Sequence, residues 1–81
     1  MAMINKVRDM LDQVLGLGER AAILEADTPL LGNLPELDSM AVVELISDME
    51  ARFGITVDDD DISAETFATL ASLVAFIEAR A

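Results

Sequence analysis

The chain has no cysteine, no histidine and only five lysine and arginine residues among 81. Without cysteine there is neither a disulfide framework nor a thiolate for catalysis or metal binding. Without histidine there is no Ser–His relay and no imidazole metal ligand. The shortage of basic residues argues against nucleic acid as a partner, because phosphate neutralisation needs clustered Lys and Arg. No stretch reaches the roughly 18 apolar residues of a membrane span, and membrane insertion is not expected. The opening residues 1–6 show no basic region followed by a long apolar run, so the expected compartment is the cytoplasm. Carboxylates and hydroxyls are what is left for chemistry. On its own the chain is expected to be a non-enzyme.

What is present is acid and aliphatic side chains. Sixteen Asp and Glu give a net charge of −11, while 53% of the residues are hydrophobic, enough for a core in one small domain over residues 1–81. The acid is unevenly placed. Residues 1–35 carry a net −2, and residues 66–81 balance Glu78 with Arg80. Residues 36–65 hold Glu36, Asp38, Glu44, Asp48, Glu50, Asp58 to Asp61 and Glu65 against Arg52 alone, a net of −9. Such a segment either solvates one face or steers basic partners toward it.

Apolar periodicity gives an all-α fold: a small helical bundle of three main helices plus one short helix, with a long loop between the first and second. Ile4, Val7, Leu11 and Val14 mark the inner face of the first helix, opposite Arg8, Asp9, Asp12 and Gln13, and Gly16 and Gly18 end it. The loop, about residues 17–37, has room for a helical turn at Ala21–Leu24, and its Leu30, Leu31 and Leu34 are expected to pack on the core. The second helix starts at Asp38-Ser39 and runs to Phe53, with Gly54 as its stop. Val42, Leu45, Ile46, Met49 and Phe53 form its apolar stripe; Glu44, Ser47, Asp48 and Ala51 lie opposite. Ile55 and Val57 then cover the core from an extended link, and the short helix is expected near Asp59–Ala64. Thr69 caps the last helix, with Leu70, Leu73, Val74 and Ile77 inward and Phe67 just ahead.

Two places invite a chemical reading. Counted as a calcium loop from Asp58, the run of acids puts Ser63 where Gly is required and Thr69 where the bidentate Glu is required, so that reading fails. An acidic turn at a helix N-terminus explains Asp58–Asp61 instead. Ser39 is the other place. A Ser or Asp at a helix start is commonly just a cap. The same position, with free N–H groups and the positive end of the helix dipole, also favours a phosphate. Nothing in the chain activates Ser39, so any modification there needs another enzyme.

Leu37-Asp38-Ser39-Met40, followed by Val43-Glu44-Leu45 and Glu50-Ala51-Arg52-Phe53-Gly54-Ile55, resembles the acyl carrier protein family, with Met40 where Leu is usual. The resemblance extends through the long loop, the acidic run and the Thr69-Leu70 helix start. It implies that Ser39 receives 4′-phosphopantetheine from coenzyme A through a phosphopantetheinyl transferase, and that the thiol of this arm carries an acyl group as a thioester. Partner recognition falls on Asp38, Met40, Val43, Glu44, Ser47 and Asp48, met by basic patches on a ligase, synthase or acyltransferase; the carrier itself is expected to be a monomer. Leu45, Ile46 and Ala71 line a space for the cargo or belong to the core. Ala41 and Ala51 stand where acids are usual and thin the partner face, which points to a specialised pathway. A D-alanyl or other aminoacyl carrier is the alternative, as is an acidic interaction module without a prosthetic group.

Overall fold

A computed structural model of the chain describes residues 2–35 and 37–80. Glu36, counted above among the acids, lies outside the described residues, as does the side chain of Asp59. The first apolar stripe forms α1, Met3–Leu15. Val7, Met10 and Leu11 are fully buried, while Ile4 and Val14 flank them half-buried, so Met10 joins the inward stripe that the spacing drew without it. Gly16, at φ +66°, ends the helix and donates its N–H to Asp12 O at 2.8 Å, a left-handed cap that suits glycine. The Asp12 carboxylate accepts the Gly18 N–H at 2.6 Å and turns the chain into α2, Glu19–Ala22. The helical turn expected over Ala21–Leu24 thus sits two residues earlier, and Arg8 Nε secures its exit by donating to Leu24 O at 2.7 Å.

The long connection is bolted down rather than loose. Leu24, Leu30, Leu34 and Leu37 are buried, whereas Leu31 points outward. Leu30 and Leu31 donate their N–H groups to Ala68 O and Phe67 O, both at 3.0 Å, around an isolated antiparallel bridge between Pro29 and Thr69. These bonds satisfy loop backbone that would otherwise be stranded against the core.

The second main helix is α3, Ser39–Phe53, closed by Gly54 at φ +66°. Its buried residues are Ala41, Leu45 and Met49, with Val42, Ile46 and Phe53 partly buried beside them. Ile55 is buried in the link that follows, and the Glu50 carboxylate accepts the Val57 N–H at 3.0 Å. The short helix expected near Asp59–Ala64 contracts to one 3₁₀ turn, Asp59–Asp61, made by Asp61 N–H donating to Asp58 O. Half-buried Ile62 and the Ser63–Thr66 turn, where each residue's N–H finds an oxygen of the other, redirect the chain before a full helix forms.

The last helix, α4, spans Leu70–Arg80 and buries Leu70, Leu73 and Ile77. Phe67 is buried just ahead of it. Helix α1 is the post against which α2, α3 and α4 all pack. Among the described residues there is no strand beyond the single bridge, and the all-α bundle with a long first loop stands.

Candidate functional site at the start of α3

Asp38 precedes α3 in an extended conformation and its Oδ1 accepts the Ala41 N–H at 2.8 Å. Asp38 O accepts from Val42 N–H at 2.9 Å. The two remaining N–H groups of the first turn, on Ser39 and Met40, have no acceptor among the described residues. Ser39 is exposed at the first helical position, so its hydroxyl is open to an enzyme. A phosphoryl group bonded there would find donors and a favourable dipole at the same residue.

The expected recognition residues share one side of α3. Met40 is 71% exposed and Val43 64%, with Glu44 and Ser47 exposed beside them. Asp48 is different: it is half-buried and its Oδ2 accepts from Arg52 Nε at 2.9 Å. Arg52 also donates from Nη2 to Gln13 Oε1 on α1 at 2.6 Å. The polar stripe of α3 is therefore one wall of an open groove of about 400 Å³, with Gln13 and Val14 on the other.

A family model described as a phosphopantetheine attachment site matches residues 5–77. The chain belongs to the acyl carrier protein family. It is 35% identical over 74 residues to an acyl carrier protein of Thermotoga maritima, an alignment covering 91% of this chain and 85% of that one. It is 44% identical over 43 residues to an acyl carrier protein of an Exiguobacterium species, covering 53% and 52% of the two chains. The solution structure of a holo acyl carrier protein from Nitrosomonas europaea superposes with a TM-score of 0.89 at 54% identity, covering 98% of this chain and 95% of that one. As a member of this family the chain is a non-catalytic carrier, and its prosthetic group is covalent 4′-phosphopantetheine. The residues at the start of α3 fit that group: an exposed hydroxyl, and two unclaimed N–H donors.

Two sequence readings around the carrier site are corrected. Ala41 itself is not part of the exposed recognition face: it is only 7% exposed and packs in the core cluster. Ala51 is exposed and does leave that face without a charge. Ala71 neither lines a cargo space nor belongs to the core: its side chain is exposed and its N–H donates to Ala26 O at 2.7 Å. Leu45 is fully buried core and Ile46 packs half-buried against it. Sequence reasoning missed Gln13 and Arg52. The Asp48–Arg52 spacing of four was a readable signal for the pair, whereas the bond to Gln13 depends on how α1 packs and leaves no local trace. None of the described helices is long and apolar enough to cross a membrane.

Proposed function

We propose that Ser39 is the residue that carries the 4′-phosphopantetheine arm, and that the chain is one carrier domain, monomeric and cytoplasmic, serving acyl transfer in a specialised pathway. The observation that carries this reading is the exposed Ser39 hydroxyl at a helix start with two N–H groups left open. Ser39 Oγ attacks the phosphorus of coenzyme A that bears the pantetheine. The new O–P bond forms as the pyrophosphate P–O bond breaks, adenosine 3′,5′-bisphosphate leaves, and the hydroxyl proton passes to a base on the transferase. The chain contributes no base, since no histidine is present and Asp38 is occupied as a cap. Once bound, the group supplies a thiol that holds an acyl chain as a thioester.

Docking of the transferase and of acyl-handling ligases, synthases or acyltransferases falls to the exposed side of α3. Met40 and Val43 offer apolar contact, Asp38, Glu44 and Asp48 attract basic side chains, and Ser47 offers a hydroxyl between them. Incubation with coenzyme A and a broad-specificity phosphopantetheinyl transferase is expected to add a single phosphopantetheinyl group by intact mass. Persistence of the added mass in Ser39→Ala would overturn the assignment. Offering the holo-protein to acyl- and aminoacyl-adenylating enzymes then reads the cargo, and exclusive aminoacyl loading would replace the acyl reading.

A further inference from the structure

We propose that Met40 is a reversible oxidation site: an uncharged hydroperoxide converts it to the sulfoxide ahead of the other described methionines, and the oxidised chain is a poorer substrate for the enzyme that modifies Ser39. The second half of this statement rests on the docking role proposed for α3; the first half does not. Met40 is 71% exposed, whereas Met10 and Met49 are fully buried and Met3 packs half-buried against the core. A peroxide in solution therefore meets the Met40 thioether directly and reaches Met10 or Met49 only when the fold opens. With no cysteine in the chain, no thiolate competes for the oxidant before the arm is attached. The net charge of −9 over residues 36–65 repels anionic oxidants and leaves a neutral hydroperoxide free to approach.

The step balances without help from the protein. The Met40 sulfur attacks the terminal oxygen of the hydroperoxide, and the S–O bond forms as the O–O bond breaks. Sulfur loses two electrons and the peroxide gains them. The proton on the transferred oxygen passes through solvent to the departing one, which leaves as water or an alcohol. The fold tolerates the product, because Met40 is not part of the core cluster and the new oxygen arises at the positive end of the α3 dipole. At Met10 or Met49 the same oxygen would stand in the core away from water. What oxidation removes at Met40 is the apolar contact beside Ser39: a flexible, polarizable side chain becomes a polar one.

The test treats the full-length chain, before attachment, with dilute hydrogen peroxide and then removes the excess with catalase. Cleavage after glutamate releases residues 37–44, in which Met40 is the sole methionine, and residues 45–50, which contain Met49, so mass spectrometry reads the two apart. Met40 is expected to oxidise at least about tenfold faster than Met49. The oxidised chain should keep the melting midpoint of the untreated one, while its KM for phosphopantetheinyl transfer rises roughly three- to tenfold with kcat little changed. Methionine sulfoxide reductases for both epimers should restore the lower KM. Met40→Leu, whatever its own KM, should show the same value before and after peroxide. Equal oxidation of Met40 and Met49 in the folded chain, a KM unmoved once Met40 is oxidised, or a rise that persists in Met40→Leu overturns the inference. Attachment to the untreated chain and to Ser39→Ala is measured first: failure there refutes the assignment of Ser39, whereas an unmoved KM on a chain that is modified at Ser39 refutes the role of Met40 alone.

Discussion

The first turns of α3 and α4 begin from similar sequence, a capping residue ahead of a run without Gly or Pro, and they are completed in opposite ways. At α4 every orphan N–H is used. Leu70 donates to Thr28 O at 3.2 Å and Ala71 to Ala26 O at 2.7 Å, both carbonyls of the long loop. Ser72 N–H donates to Thr69 Oγ1 while Thr69 N–H donates to Ser72 Oγ, a reciprocal cap with serine in the place more often held by Glu or Gln. Leu73 N–H closes on Thr69 O. At α3, among the described residues, only Ala41 and Val42 are provided for, both by Asp38, and the residues carrying the open donors, Ser39 and Met40, are exposed. The loop folds onto one helix start and leaves the other bare. A helix N-terminus is structural where the rest of the chain supplies acceptors and available for a ligand where it does not.

The largest expected effect separates the two ends by function. Ser39→Ala should abolish attachment of the phosphopantetheinyl group while leaving the urea midpoint nearly unchanged, because Ser39 is exposed and makes no side-chain hydrogen bond among the described residues. Thr69→Ala should do the reverse: full attachment, measured by intact mass, with a lower midpoint. If Thr69→Ala also blocks attachment in a folded protein, the two ends are not independent.

Next in size is the packing just inside each end. Leu70 is fully buried, so Leu70→Ala should cost about 2–5 kcal/mol in equilibrium unfolding. Met40, 71% exposed, should tolerate alanine within about 0.5 kcal/mol. A large loss at Met40 would mean that α3 begins deeper in the core than its exposure indicates. Smaller again are the caps. Thr69→Ala should cost about 1–2 kcal/mol and Asp38→Ala about 1 kcal/mol, whereas Asp38→Asn keeps an acceptor for the Ala41 N–H and should leave stability unchanged. Asp38→Asn also removes the charge, so a raised KM for the transferase with an unaltered midpoint isolates the docking role from the capping role.

Much of this contrast was legible in local sequence. Apolar spacing located three helices, Gly16 and Gly54 marked two of the ends, and Asp38 and Thr69 announced the caps because capping depends on residues within three positions. The burial of Ala41 and the exposure of Ala71 were not legible, since both lie at the edges of apolar stripes and small side chains give periodicity little weight. Nor was the loop's pairing with residues 67–71, which joins segments about forty residues apart through backbone groups that every sequence possesses. That pairing is what distinguishes the two helix starts. Sequence could therefore nominate Ser39 by its motif, but could not show that its neighbouring N–H groups stay free.

The smallest expected effect concerns charge, which divides along the same line. Residues 36–65, the segment containing α3, carry a net −9, while residues 66–81, the segment containing α4, are balanced. Two internal cations offset acids at the edges: Arg52 beside Asp48, and Arg80, which lies 3.8 Å over the Phe76 ring and 3.5 Å from Asp61. These pairs are partly exposed and weak. At 20 mM salt the Debye length is about 20 Å, longer than the 11.3 Å radius of gyration, so each carboxylate is repelled by most of the others; at 0.5 M it falls to about 4 Å. Screening removes many long-range repulsions and few short attractions such as the Arg52 and Arg80 contacts, so the melting midpoint should rise with sodium chloride. Hydrogen exchange should show the gain in protection along α3 rather than α4. A midpoint that is flat or falls with salt would mean that short-range contacts such as those of Arg52 and Arg80 outweigh the summed repulsion.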